Sequence, residues 1–223
     1  MTNLSYMEQR EQVVQAAQLL VNAGVMSHSG HGNLSVRVPG KDQILLTAVG
    51  HIVHLKPEQL VLMTLDGEIV EGHIDPVARE IIGMHTCVYQ MRKNVNAVIH
   101  THSPRATSFA LAHQPLPCVY EAFLRWGITE DIPVAEWAPR GSQEAVAYIV
   151  EQLRQHPTVP ALLLANHGLL AFSHDPVSTA QLIVAMEEAA GLVLDARVIG
   201  GEKPFPPDAL ERERRHMQQF GSI

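Results

Sequence analysis

Val98-Ile99-His100-Thr101-His102-Ser103-Pro104 is the stretch that decides the fold, and Leu162-Leu163-Leu164-Ala165-Asn166-His167-Gly168 is its counterpart further along the chain. In each, histidine follows an apolar run of strand character. Residues two apart in a strand point to the same side of the sheet. His100 and His102 therefore present two imidazoles together where a buried strand ends. His167, at another strand end, supplies a third nitrogen. Three imidazoles converging on one point, with a fourth position open, form the donor set of a catalytic zinc-type site. The competing reading is three hydrogen-bonded core histidines. The H-x-H spacing, the strand context and the N-H-G partner together favour the metal.

Working outward, Ser5-x-x-Glu8 reads as a capping box. It opens a helix with Val13, Val14, Ala17, Leu20 and Val21 on one face, stopped near Gly24. Strand-like runs follow at 33–38, 44–47 and 60–64, and Asp66-Gly67 turns the last of these into 68–71 as a hairpin. Residues 76 to about 92 read as a helix with Ile81, Ile82, His85, Val88 and Tyr89 at helical spacing. A strand at 97–100 leads into a helix with Ser103 as N-cap and Pro104 at its first position. The stretch 119–132 is ambiguous between helix and strand. Ser142 caps a helix to about Arg154. Strands at 161–164 and 169–172 flank Asn166-His167-Gly168, and Asp175-Pro176 begins a long helix to about Ile199. Alternating helices and strands predict α/β layers around one sheet. No repeat or linker divides the chain, so residues 1–223 are expected to form a single domain. Its charged, proline-containing tail from about 203 is expected to be peripheral.

The chain has 223 residues, 46% of them hydrophobic and 17% charged, which suits a folded core rather than disorder. A net charge of −7 argues against a nucleic-acid partner, and no polybasic patch points to a membrane. Two cysteines, Cys87 and Cys118, without C-x-x-C suit a reduced, cytoplasmic setting. No signal pattern stands at the N-terminus, and no apolar run is read as transmembrane.

The segments Ser29-Gly30-His31-Gly32-Asn33-Leu34-Ser35, Thr47-x-x-Gly50, Glu80 with Met84-His85 and Tyr89, His100-Thr101-His102-Ser103-Pro104, and Asn166-His167-Gly168 occur in an order that resembles the class II aldolase/adducin family. The resemblance covers residues 8 to 200. It implies a three-layer α/β/α domain on a mostly antiparallel central sheet. It also implies a homotetramer with active sites where subunits meet. One divalent ion per chain is implied on three His, Zn²⁺ first, with Mn²⁺ or another divalent ion as alternatives. An amidohydrolase barrel typically needs a longer chain, and a cupin would lack the strong helices read here.

A three-His cation is a Lewis acid that can hold two oxygens of a hydroxy-carbonyl substrate and stabilise an enediolate. The expected activity is carbon–carbon cleavage of the aldolase type. Decarboxylation or epimerisation on the same scaffold is the alternative, and a non-catalytic adducin-like assembly module is the reading from a different class. Glu80 is the expected acid/base. The resemblance places that acid four residues before the His matching His85. Here that slot holds Ile81, and Glu80 stands one residue earlier, with Asp75 as a weaker substitute. Sugar-phosphate members carry two serines before the acid, where this chain has Val77, Ala78 and Arg79. That substitution predicts a small hydroxy- or oxo-acid substrate over a sugar phosphate, with Arg79 gripping a carboxylate. Gly32, Asn33, Thr47 and Gly50 are expected to line an anion pocket. Tyr120 is the positional match for a tyrosine that donates a proton in a neighbouring subunit's site. His28, His31, His51, His54, His73 and His113 are assigned no ligand role, and His85 is expected to support the site or pack in the core.

Overall fold

A computed structural model describes residues 4–220 of the chain. Its eight strands are β1 (Gly32–Arg37), β2 (Gln43–Thr47), β3 (Leu60–Thr64), β4 (Ile69–Glu71), β5 (Ala97–Thr101), β6 (Val134–Ala135), β7 (Ala161–Leu164) and β8 (Gly168–Ser173). They form one sheet in the order β4-β3-β2-β1-β5-β8-β7-β6. All neighbours are antiparallel except β6 and β7. The helices are α1 (Met7–Asn22), α2 (Ile82–Met91), α3 (Pro104–Ala112), α4 (Glu121–Arg125), α5 (Gln143–Gln155), α6 (Pro176–Val198) and α7 (Ala209–Phe220). The fold is the expected three-layer α/β/α arrangement.

Alternation along the strands builds two cores. Leu34, Val36, Leu45, Ile99, Leu169 and Ala171 join α1, α3 and α6 on one face. Ile44, Leu46, Val61, Val98, Leu170 and Phe172 join α2 and α5 on the other. Central strands buried on both faces read as near-continuous apolar runs for this reason. The 23-residue α6 is long and apolar enough to cross a membrane, unlike the expectation that no run would be. It is instead a core helix: Leu182, Ile183, Met186, Ala189 and Ala190 are buried in the first core.

Several helix entries depart from the sequence reading. The Ser5 capping box does not form; α1 starts at Met7 behind Tyr6, whose φ is 60°, with no side-chain cap. The Ser5 carbonyl instead accepts from Arg10 Nε at 2.8 Å. The stretch from Pro76 is a 3₁₀ segment, Pro76–Ile81, before the α-helix proper. Ser103 stands at the N-cap of α3, but its hydroxyl pairs with Thr101 Oγ1. The orphan amides of Arg105 and Ala106 donate to the Glu187 carboxylate from α6 at 2.8–3.0 Å. The ambiguous 119–132 stretch contains the short α4. The tail holds α7, which packs on α4 with Glu213 3.4 Å from Arg125. The Ser142 cap forms as read, accepting from Ala145 N, and at the start of α6 Asp175 accepts from Ser178 N as its N-cap.

Arg10 ties α1 to the edge of the sheet. Its side chain is fully buried, donates to the carbonyls of Pro57 and Leu60, and pairs with Glu71 on β4 at 2.7 Å. Removing the guanidinium strands both carbonyls and a half-buried carboxylate. Arg10→Met should lower stability by about 3 kcal/mol, seen as a lower denaturant midpoint at unchanged slope. Arg125→Ala, whose half-exposed guanidinium also pairs with the exposed Glu121, should cost less than about 1 kcal/mol in the same assay.

Candidate active site

Strand ends bring the histidines together. His100 sits in β5 opposite Leu170 of β8 and Asn33 of β1. His102 lies just past the end of β5, and His167 lies in the turn between β7 and β8. The ring centroids are 4.9 Å apart for His100 and His102, 4.5 Å for His100 and His167, and 5.1 Å for His102 and His167. One ligand atom from each falls within 4.8 Å of the others.

The turn that carries His167 explains the N-H-G sequence. Asn166 has φ 57°, a left-handed conformation that Asn tolerates better than most residues. Its Oδ1 accepts from His113 Nε2 at 2.6 Å. A Cβ on residue 168 would lie 2.5 Å from the Thr101 carbonyl oxygen and 3.2 Å from His100 Cε1. Glycine is what allows β8 to start this close to the histidines.

The donor chemistry fits a divalent cation. His100 is buried, and its Nδ1–H donates to the Leu169 carbonyl at 3.0 Å, which leaves Nε2 as the ligand atom. This is the usual tautomer control of a metal-binding imidazole. His100 Nε2 lies 3.1 Å from His102 Nε2, so the two atoms face one point, where a cation would take a lone pair from each. Burial holds His100 well below the ordinary imidazole value, helped by His167, His102 and His85. His102 is lowered by burial, then by His31 and Arg140. His167 is lowered to about 4 by burial, then by His102 and Arg140. Neutral imidazoles are the form that ligates.

The triad forms part of a cavity of about 740 Å³, which Gly32, Asn33, Gly50 and Glu80 also line. Three other expected residues are placed differently. Thr47 is buried behind the wall, its hydroxyl accepting from Leu34 N. Arg79 is exposed and outside the lining, as is the half-buried Tyr120, which packs against the first core. Asp75 does line the cavity. Glu80 stands in the 3₁₀ segment, and Ile81, the slot counted back from His85, lines the cavity beside it.

Arg140, which the sequence reading passed over, pairs its guanidinium with the Glu80 carboxylate. Gly141, with φ 79°, leaves no room for a Cβ, which would stand 2.5 Å from Glu80 Cβ. Gly141 directly before the Ser142 N-cap is a signal that could have drawn attention to this turn. Trp137, His31 and His51 also line the cavity, the rings of the last two tilted by 45° with centroids 4.1 Å apart.

Comparison with known proteins agrees with this geometry. The sequence profile described as the Class II Aldolase and Adducin N-terminal domain matches residues 11–194. This chain belongs to the class II aldolase and adducin family. It is 27% identical over 215 residues to 5-deoxy-D-ribulose 1-phosphate aldolase of Bacillus thuringiensis serovar kurstaki, covering 96% of this chain and 97% of that one. It is 29% identical over 175 residues to L-fuculose phosphate aldolase of Haemophilus influenzae, covering 78% and 77%. A solved L-fuculose 1-phosphate aldolase superposes with TM-score 0.84 at 25% identity, over 98% of this chain and 100% of that one. The family member described here is a metal-dependent lyase of the aldolase type, and these matches do not favour the decarboxylase, epimerase and assembly-module readings.

The close approach at Gly168 gives a direct test of the site. Gly168→Ala should push β8 from the Thr101 carbonyl and scatter the three nitrogens. Elemental analysis should find the variant folded by circular dichroism but depleted of divalent metal. Retention of wild-type metal content would show that the triad does not depend on this contact.

Proposed function

We propose that this chain cleaves a small phosphorylated ketose by a reversible aldol reaction, with His100, His102 and His167 holding one divalent ion. The observation that carries the reading is the convergence of these three nitrogens beside Glu80 in one cavity. An all-nitrogen set suits Zn²⁺ first, with Mn²⁺ or another divalent ion as alternatives. When bound, such an ion supplies Lewis acidity toward the carbonyl and hydroxyl oxygens of the substrate.

The remaining steps belong to the protein. Glu80 exchanges the proton at the carbon next to the substrate carbonyl. In cleavage the carbon–carbon bond pair becomes a carbanion there, and Glu80 delivers the proton to it. In synthesis the same carboxylate removes that proton. Arg140 pairs with Glu80, fixing the direction of its carboxylate. Tyr120 of a neighbouring subunit is the proposed proton carrier for the hydroxyl that becomes the aldehyde. The proposed assembly is a homotetramer, and the free thiols Cys87 and Cys118 suit a cytoplasmic setting.

Phosphate is favoured over the carboxylate expected from Val77 and Ala78. The Arg79 fork, on which the carboxylate reading leaned, lies outside the cavity lining. Asn33 and Gly50 lie within it, and the backbone N–H groups of Val49, Gly50 and His51 have no partner among the described residues. Successive free amides of this kind suit an anion. The relatives above are named for 1-phosphorylated ketoses.

Two measurements test the reading. Incubation of metal-loaded protein with 5-deoxyribulose 1-phosphate and fuculose 1-phosphate, against hydroxy-acids at equal concentration, should release dihydroxyacetone phosphate and an aldehyde from the former. Faster turnover of a hydroxy-acid would overturn the substrate class. Glu80→Gln should keep the metal and the fold while kcat falls by about 10²–10⁴-fold. A variant within about threefold of wild type would move the proton transfer to Asp75 or Tyr120.

A further inference from the structure

Behind the cavity wall lies a buried polar chain that the chemistry above does not use. Asn33 Oδ1 lies 2.6 Å from His85 Nε2. His85 Nδ1 lies 2.7 Å from Ser35 Oγ, and Ser35 Oγ lies 2.8 Å from the Tyr89 hydroxyl. His85, Ser35 and Tyr89 are fully buried in the second core, between β1 and α2. Only Asn33, at one end of the chain, reaches the cavity.

Ser35 Oγ also lies 3.5 Å from the Val98 carbonyl, a longer contact than that to His85, and with Asn33 Oδ1 facing His85 the four groups allow one consistent direction. Asn33 Oδ1 only accepts, so His85 Nε2 must donate. Burial with no carboxylate to pair it holds His85 down to about 3, so the ring is neutral and carries one proton. With that proton on Nε2, Nδ1 must accept, and Ser35 must give its hydroxyl proton to it. Ser35 Oγ can then accept from the Tyr89 hydroxyl. The protons point from Tyr89 through Ser35 and His85 to Asn33, and every group is satisfied. The Asn33 amino group has no partner among the described residues and is left to the cavity.

We infer that His85 and Ser35 are positioning residues that lock the Asn33 side-chain amide with its two N–H donors facing the substrate, so that the cavity selects a proton-free oxygen anion at that point. An unlocked amide can flip and present its carbonyl oxygen, which repels phosphate. The inference rests on the anion pocket proposed above and names the device that gives it its sign. It also accounts for a buried histidine and tyrosine on α2 that neither the metal triad nor the proton transfer requires.

Two readouts test it. In protein labelled with ¹⁵N-histidine, the His85 resonances, assigned by their loss in His85→Gln, should report a neutral ring with the proton on Nε2. In Ser35→Ala, His85 loses the donor that fixes its tautomer. Inorganic phosphate, measured as a competitive inhibitor and by direct titration, should bind that variant about tenfold more weakly or worse. KM for the phosphorylated ketose should rise by a similar factor, with kcat and metal content nearly unchanged. Tyr89→Phe, which preserves shape and leaves the Ser35 donor in place, should show a smaller loss and guards against misfolding of the first variant. An Nδ1-protonated His85, or wild-type phosphate affinity in folded, metal-loaded Ser35→Ala, would overturn the relay. Absence of phosphate binding by the wild type would overturn the proposed substrate class, and the relay with it.

Discussion

The approach of the 165–168 turn to the end of β5 is the constraint on which the rest of the site depends. Antiparallel pairing of β5 with β8 sets Thr101 against Leu169, and the missing side chain at Gly168 lets the next turn close over the Thr101 carbonyl. That contact places His167 beside His100 without a long loop. The same pairing delivers the Leu169 carbonyl to His100 Nδ1, which chooses the tautomer of the ring. Backbone geometry thus fixes both where the nitrogens meet and which nitrogen is free. A loop-built site would need separate devices for each.

Burial has opposite uses on the two sides of the cavity floor. At the triad, desolvation keeps the imidazoles neutral and therefore able to bind a cation. At His85, a few residues deeper, it keeps the ring neutral and therefore directional as a hydrogen-bond carrier. Charge is confined to the rim, where Glu80 and Arg140 pair in partly exposed surroundings.

Much of this was legible in the sequence because its signals are local. The H-x-H strand end, the N-H-G turn, the Ser142 and Asp175 caps, and the apolar runs of β5, β7 and β8 each depend on a few adjacent residues. What escaped reading was non-local. Ser5 does not cap α1; its carbonyl accepts from Arg10, whose other partners Pro57, Leu60 and Glu71 lie far along the chain. Ser103 lost its cap role to Glu187 from α6. Arg140 lies remote from Glu80 in sequence, and only the Gly141 turn hints at their meeting. The 3₁₀ winding of Pro76–Ile81 reads in the sequence as part of one continuous helix, since a helical pattern does not reveal its own pitch.

That 3₁₀ segment also links the chain's two departures from the pattern of sugar-phosphate aldolases. It carries Glu80 into the cavity one residue earlier than expected, and it lines the adjacent wall with Val77, Ala78 and Ile81 in place of hydroxyl donors. An apolar wall there cannot compensate a phosphate for its lost water. On the proposed reading the anion must therefore draw its donors from the opposite wall, from Asn33 and the free amides at 49–51. An amide side chain is ambiguous in a way a serine hydroxyl is not: a hydroxyl can rotate to donate or accept, whereas a carboxamide offers one function or the other according to its flip. A pocket that relies on Asn33 needs that flip decided in advance. The buried line from Tyr89 to His85 decides it from the protein side, before any ligand arrives, and so makes the two departures compatible with one anionic substrate.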